Sequence, residues 1–188
     1  MIRRLLTTLF ALALVGAFAS AQPVIDGAIG DGEYANTVTH ESGAMLYWTV
    51  EGDVLHMGYT MAATGWSGVG WLTEQTNRKA GADMLMFSMV DGAAVAYDAF
   101  QAGARGEPDL DENEGGTNSL TAFAAMHAGD VWTVEFSRPL VTGEATDVDV
   151  VPGTPVVLML AHGGTMDVGR AHERSTSGGA FYIEGFVF

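Results

Sequence analysis

Two loop residues of this sequence, Lys79 and His172, have side chains that can bind a metal ion. Lys79 is the only lysine in the chain, and His172 comes just before the last predicted strand. The five histidines lack the close spacing of a helical zinc motif, and without cysteine no thiolate site can form. Neither a Gly-x-Ser-x-Gly elbow nor a phosphate loop followed by Lys-Ser/Thr occurs, so nothing supports hydrolytic catalysis. Composition alone favours two exposed polar loop residues.

An acidic stretch, residues 109–114, offers the carboxylate oxygens that calcium prefers. It lacks the fixed ligand spacing of an EF-hand, so we expect a solvated acidic loop. The stretch lies within residues 103–118, a Gly-rich segment too long for a hairpin turn. Long loops of this kind are often functional.

Residues 1–21 have the three parts of a secretory signal peptide. Arg3 and Arg4 precede an uncharged run over residues 5–18, and Ala19-Ser20-Ala21 supplies the small residues of a cleavage site. The apolar run is shorter than the roughly 20 residues needed to span a bilayer. We therefore expect a cleaved signal peptide over 1–21, one domain over 22–188, and export to the periplasm or beyond, with no membrane span after cleavage.

The chain beyond the signal peptide is strongly acidic, with 6 Lys and Arg against 23 Asp and Glu. Such a charge excludes nucleic acid bound through a basic patch and repels anionic membrane surfaces. It favours docking to a partner protein with a basic surface, or a salty medium that screens the self-repulsion. Because no disulfide can form, stability must come from a core, a bound ligand or both.

Short apolar runs separated by glycine indicate an all-β domain. Apolar residues at positions 55, 57, 59 and 61 alternate with smaller or polar ones, as in a half-buried strand, and Asp91-Gly92 is a hairpin signal. The pattern predicts a β-sandwich of about nine to eleven strands. The predicted strands are an N-terminal strand and turn within 25–34, then 45–50, 55–61, 65–71, 84–90, 93–100, 120–126, 131–137, 156–161 and 180–188.

Several short motifs follow one another along the chain. They are Gly65-Trp66-Ser67-Gly68-Val69-Gly70-Trp71, Ala80-Gly81-Ala82-Asp83, Tyr97-Asp98, Val134-Glu135-Phe136-Ser137-Arg138-Pro139-Leu140, Leu160-Ala161-His162-Gly163 and His172. This succession resembles the DOMON family, the dopamine β-monooxygenase N-terminal-like domains that include the cytochrome domain of cellobiose dehydrogenase. The likeness covers residues 25–188. It implies an immunoglobulin-like β-sandwich that binds haem b or a sugar, although some members have no known ligand.

The resemblance places the candidate haem ligands on two loops. In haem-binding members the iron lies between a methionine and a histidine, and His172 matches the histidine. The methionine usually stands just ahead of the Gly-Ala-Asp segment, where this chain has Lys79. Lys79 can ligate iron only after losing a proton, which costs roughly 4–5 kcal/mol at pH 7. Met84, whose thioether needs no deprotonation, is the alternative ligand.

The resemblance therefore implies haem b held by His172 with Lys79 or Met84, in a single-electron carrier without its own catalytic site. A covalently attached haem is not expected, because no Cys-x-x-Cys-His motif occurs. The acidic surface suits a redox partner with a basic surface.

Two alternatives to the haem protein stay open, a sugar-binding module and a structural or interaction module. A sugar site would use aromatic faces, which Trp48, Trp66 and Trp71 can supply, although tryptophans in all-β domains are more often core residues. Met84, Met86 and Met89 are also typical core fillers. We expect Arg138 to pair with a carboxylate inside the fold and Asp98 and Asp111 to be structural.

Overall fold

The computed structural model describes residues 22–74, 78–173 and 180–188, so the predicted signal peptide lies outside the described residues. The chain forms two antiparallel sheets, one with strand order β1-β2-β3-β9-β8 and one with strand order β11-β10-β4-β5-β6-β7. This arrangement confirms the all-β sandwich. The elements are β1 (Asn36–Thr39), β2 (Met45–Glu51), β3 (Val54–Ala62), β4 (Ser67–Leu72), β5 (Ala82–Val90), β6 (Ala93–Gln101), β7 (Asp109–Leu110), the short helix α1 (Asp111–Glu114), β8 (Ala122–Ala128), β9 (Val131–Pro139), β10 (Pro155–His162) and β11 (Ala180–Val187).

The core fills the space between the two sheets with side chains from alternate strand positions. The alternation predicted for β3 is confirmed, because its four large apolar residues at 55, 57, 59 and 61 are buried. In the six-stranded sheet, the inward positions of β4, β5 and β10 are held by Val69, Trp71, Leu85, Phe87, Leu158 and Leu160. The residues between them point away from the core, to the outer face of that sheet.

The hairpin predicted at Asp91-Gly92 joins β5 to β6. Both residues have positive φ, 50° for Asp91 and 82° for Gly92. Such a pair of left-handed residues forms the two-residue turn that matches the twist of paired strands. The turn sets the register in which Val90 pairs with Ala93.

A buried ion pair crosses the sandwich. Arg138 on β9 contacts Asp83 on β5, with 2.6 Å between Nη1 and Oδ2, and both side chains are fully buried. The guanidinium also lies 4.9 Å from the centre of the Trp71 ring, a cation–π distance. The expected pairing of Arg138 with an interior carboxylate is confirmed.

The strand predicted within residues 25–34 is wrong. The buried carboxylate of Glu135 binds this segment instead, accepting hydrogen bonds from Gly27 N at 2.8 Å, Ala28 N at 3.0 Å and Tyr34 Oη at 2.8 Å. Charge-assisted bonds to a side chain satisfy backbone N–H groups that would otherwise need a neighbouring strand. The first strand, β1, follows this segment and was not predicted, and neither was the two-residue β7.

Replacing this carboxylate by an amide should loosen the N-terminal segment. Glu135→Gln is expected to lower the free energy of unfolding by about 2–3 kcal/mol, because four hydrogen bonds, from the N–H groups of residues 26–28 and from Tyr34 Oη, lose a charged acceptor. Urea denaturation followed by tryptophan fluorescence measures the change. Glu51→Gln, at the exposed end of β2, is the matched control and should stay within about 0.5 kcal/mol. Equal stability of the two variants would contradict the assigned role of Glu135.

Candidate functional site

A cavity of about 910 Å³ lies against the outer face of the six-stranded sheet. Three loops surround it, contributing residues 78–79 ahead of β5, 104–108 after β6 and 168–172 after β10. Outward-facing residues of β4, β5, β10 and β11 form its floor, namely Gly68, Gly70, Met84, Met86, Met159, Ala161, Ala180 and Tyr182.

Two glycines of β4 keep the middle of this floor flat. A Cβ on Gly70 would lie 2.5 Å from the carbonyl oxygen of Asp83 and 3.1 Å from Cγ of Met84. A Cβ on Gly68 would lie 2.9 Å from the carbonyl oxygen of Leu85. The backbone of β5 therefore leaves no room for a side chain at either position, and a flat space remains above both glycines.

Lys79 and His172 approach the cavity from opposite ends of its floor. β4 pairs antiparallel with β10, and His162 lies opposite Ser67 while Val157 lies opposite Leu72. The β10–β11 loop with His172 thus leaves at the Ser67 end of β4. The β4–β5 loop with Lys79 leaves at the Leu72 end. The structure brings both predicted ligands to one cavity.

The ring of His172 is oriented by its neighbour's backbone. Its Nδ1 lies 2.9 Å from the carbonyl oxygen of Glu173. A carbonyl oxygen can only accept, so the donor is Nδ1–H. In the neutral form of the ring the lone pair is then on Nε2. Ligand histidines in metal and haem sites are commonly oriented by such a bond to the second nitrogen.

The amine of Lys79 is half-buried and bridges two of the loops. Its Nζ donates a hydrogen bond to the carbonyl oxygen of Gly106 at 2.9 Å. Burial lowers the pKa of Lys79, although the nearby charge of Glu107 acts in the opposite direction. The environment therefore favours the neutral amine more than water does.

The three methionines expected to fill the core lie on the two faces of β5. Met89 packs against the main core, whereas Met84 and Met86 line the cavity, where Met86 is buried and Met84 packs against a second, smaller apolar cluster. The reason is the alternation of β5, which turns Asp83 and Leu85 inward and the intervening residues outward. Met84 therefore stands beside the cavity, as the haem interpretation requires of an alternative ligand.

The cavity collects most of the positive charge of this acidic chain. Its lining includes four of the six basic residues found after residue 21: Arg78, Lys79, Arg105 and Arg170. Among the described lining residues, Glu107 is the one acidic side chain. Within the described part of the chain no carboxylate comes within ion-pair distance of Arg78 or Arg105, and Arg170 has an exposed contact of 3.4 Å with Asp167. Such a lining favours an anionic ligand.

Sequence reasoning missed this basic cluster. Its members lie on three separate loops, and none stands in a run of basic residues longer than two. The one available signal was the scarcity of basic residues, since only six follow residue 21 in a strongly acidic chain. The sequence does not show that four of them converge.

The tryptophans expected to serve a sugar site are mostly elsewhere. Trp71 is fully buried and donates to the carbonyl oxygen of Val148 at 3.0 Å, and Trp48 packs against Phe186 with 4.8 Å between ring centres. Trp66 does border the cavity. Of the three tryptophans, Trp66 is therefore the one that lies where a ligand in the cavity could contact it.

Comparisons with known proteins identify one family and two similar folds. The family model described as the DOMON domain matches residues 40–163, a range that includes Lys79 and Met84 and ends before His172. The chain is similar to the cytochrome domain of Myriococcum thermophilum cellobiose dehydrogenase, with 11% identity and a TM-score of 0.49 over 81% of this chain and 88% of that one. It is also similar to the cytochrome b domain of pyranose dehydrogenase from Coprinopsis cinerea, with 12% identity and a TM-score of 0.47 over 79% of this chain and 80% of that one. No curated protein matches the chain.

The glycine floor yields a stability test. Gly70→Ala is expected to lower the free energy of unfolding by about 1–3 kcal/mol, because the added methyl group collides with the backbone of β5. Gly103→Ala is the matched control, since its nearest neighbour would lie 3.4 Å away and its φ is not positive. Thermal unfolding followed by circular dichroism compares the two. If Gly70→Ala were as stable as the control, β4 and β5 could move apart without loss of stability, which would contradict the assigned role of Gly70.

Proposed function

The chain belongs to the DOMON domain family, and from this premise we propose that its cavity binds haem b and that the protein carries single electrons outside the cytoplasm. The observation that carries the proposal is the convergence of His172 and Lys79 on one cavity with a basic lining. The family alone does not decide the ligand, because its members bind haem or sugars and some have no known ligand.

The size and shape of the cavity suit a large flat cofactor. A volume of about 910 Å³ is near the upper end of the range for small-molecule and cofactor sites. Between β5 and β10 the floor consists of the two glycines of β4, bordered by the thioethers of Met84, Met86 and Met159 on the neighbouring strands. An apolar floor with polar groups on the surrounding loops is the usual lining of such a site.

The donor atoms suit iron. His172 offers Nε2, since its Nδ1 is engaged by the carbonyl oxygen of Glu173. Lys79 offers an amine whose pKa is lowered by burial, so deprotonation costs less than in water. Met84 offers a thioether that needs no deprotonation and can take the place of Lys79.

The basic lining suits the two carboxylates of haem. Arg78, Arg105 and Arg170 carry fixed charges on three different loops around the cavity. Guanidinium groups form strong paired hydrogen bonds with carboxylates. All three arginines are exposed, and a neutral sugar would offer them no charge to bind, whereas the two carboxylates of haem would, which favours haem over the sugar-binding alternative.

Bound haem supplies a one-electron redox centre whose potential depends on its axial ligands and its burial. The residues of this chain would hold it, exclude part of the water and set that potential. The residues that would hold the iron are His172 and either Lys79 or Met84, and with two protein ligands the haem would supply electron transfer rather than substrate chemistry. The proposal is therefore an electron carrier rather than an enzyme.

Export and the redox partner are parts of the same proposal. The signal-peptide pattern over residues 1–21 supports export, and within residues 22–74, 78–173 and 180–188 no helix is long and apolar enough to cross a membrane. The acidic surface favours a partner with a basic surface, attracted at a rate that falls as salt rises. Such a partner would dock beside the cavity rather than over its basic lining.

The first test is a visible absorption spectrum after reconstitution with haem b. We expect a low-spin spectrum whose Soret band shifts on reduction, and His172→Ala should abolish it by removing an axial ligand. His127→Gln, on β8 of the other sheet, is the matched control and should keep the spectrum. A purified folded protein that takes up no haem would contradict the proposal.

The second test identifies the other axial ligand. Lys79→Met should keep the low-spin spectrum and raise the reduction potential, because thioether ligation favours the reduced iron more than amine ligation does. Potentiometric titration of the reconstituted protein measures the shift, and Met84→Leu serves as the parallel variant. If Met84→Leu loses the low-spin spectrum while Lys79→Met leaves the potential unchanged, Met84 is the ligand and Lys79 is not.

A further inference from the structure

One region of the described interior holds four carboxylates, those of Asp83, Asp98, Asp111 and Asp147, and a single guanidinium. Asp83 and Asp111 are fully buried, Asp98 is 1% exposed, and the side chain of Asp147 is fully buried. Arg138 lies 2.6 Å from Asp83 and 3.4 Å from Asp147. With one cation among four carboxylates, negative charge is in excess at a place that water cannot screen.

Three of these carboxylates converge on one point. One oxygen from each of Asp83, Asp98 and Asp147 lies within 4.8 Å of the other two. Oxygen ligands 2.3–2.6 Å from a calcium ion are at most about 5 Å apart across the ion. The spacing is therefore that of oxygens that share one ion.

A second observation is that the buried oxygens around this point lack donors. Both oxygens of Asp147, Oδ1 of Asp83 and Oδ1 of Asp98 have no hydrogen-bond partner among the described residues. The nearest guanidinium nitrogen lies 3.4 Å from Asp147. The two guanidinium nitrogens left without a partner are too few for these four oxygens. Buried acceptors normally have partners, so this set calls for a cation or protons.

Asp111 corrects the expectation of a solvated acidic loop. Asp109, Glu112 and Glu114 are exposed as expected, but the Asp111 side chain turns inward at the start of α1. Its Cβ and Oγ1 of Thr146 both lie next to Gly116, within 4 Å of the position that a Cβ on that glycine would take.

Burial is the main influence on the ionisation of two of these carboxylates. It raises the pKa of Asp83 to about 7, although Arg138 opposes the rise. It also raises the pKa of Asp111 to about 7, and the charge of Asp98 adds to this effect.

We propose that this cluster binds one calcium ion, with Asp83, Asp98 and Asp147 as ligands and the buried carboxylate of Asp111 adding negative charge beside it. Calcium takes six to eight oxygen ligands in flexible geometry. The described residues around this point offer oxygens and no imidazole, which does not favour zinc or copper.

The ion would connect two neighbouring strands to a loop that is distant in sequence. Asp83 is on β5, Asp98 on β6 and Asp147 on the β9–β10 loop. It would therefore fix the β9–β10 loop to the strand whose other face borders the haem-sized cavity. This inference does not depend on what that cavity binds.

The test is a calcium titration of the purified protein without haem. Isothermal titration calorimetry with calcium chloride should give one site per chain, and the melting temperature should be higher in calcium than in EDTA. A rise of about 5–10 °C is expected when calcium exceeds its dissociation constant a hundredfold. Sodium chloride at the same ionic strength should not reproduce the shift, which separates a bound ion from screening of the acidic surface.

Paired variants locate the ion. Asp147→Asn and Asp111→Asn should lose the calcium shift, whereas Asp149→Asn on the same loop and Glu112→Gln on α1 are exposed controls that should keep it. In EDTA, Asp147→Asn should melt at or above the unmodified protein, since it removes an unbalanced charge, and in calcium it should melt below. A merely structural carboxylate would not produce this crossover.

Three results would overturn the calcium site. They are the absence of binding heat with no change in melting temperature, full reproduction of the shift by sodium chloride, and loss of the shift in the exposed controls as well. If Asp147→Asn does not fold, the titration of the unmodified protein and the Asp111→Asn pair decide the question.

Discussion

The ion pair between Arg138 and Asp83 is the interaction on which the rest of the structure depends. It joins β9 of one sheet to β5 of the other, and it is fully buried. Desolvation of two charges offsets much of their attraction, so such a pair is poor evidence for stability in itself. Its effect is on specificity, because any alternative packing of the sheets would leave a buried charge without a partner. The indole of Trp71 lies against the same guanidinium, so an alternative packing of the two sheets would lose this cation–π contact as well.

This constraint reaches the outer face through the period of two in β-strands. A shift of one residue in β5 would turn Asp83 outward and Met84 inward. The ion pair therefore fixes which residues border the cavity, although none of its atoms faces it. In β4 the same alternation turns Trp71 inward and its neighbour Gly70 outward. The core and the candidate site thus lie on opposite faces of the same strands. A shift in the register of these strands would therefore change the residues on both faces.

Sequence patterns predicted the parts of this fold that depend on local chemistry. The alternation in β3 and the left-handed pair Asp91-Gly92 act over a few residues, and both were found as predicted. The segment held by Glu135 was mistaken for a strand because its partner lies about a hundred residues away along the chain. The inward turn of Asp111 was missed for a similar reason, since its exposed neighbours have the same charge. Lys79 and His172 were placed on the correct kind of loop, but only the antiparallel pairing of β4 with β10 shows that they share a cavity.

The distribution of charge follows from a division between the two faces of the six-stranded sheet. On its inner face the carboxylates outnumber Arg138, and on its outer face the loops carry Arg78, Arg105 and Arg170. The three arginines are exposed to water, which screens their charge, whereas the carboxylates on the inner face are buried. Arg138 is the cation that acts on those carboxylates, and it is outnumbered by them. The two faces therefore differ in what would balance them, a cation or protons on the inner face and an anion on the outer one. The convergence of four of the six basic residues found after residue 21 on one cavity is thus the feature of this acidic chain that most favours an anionic ligand there.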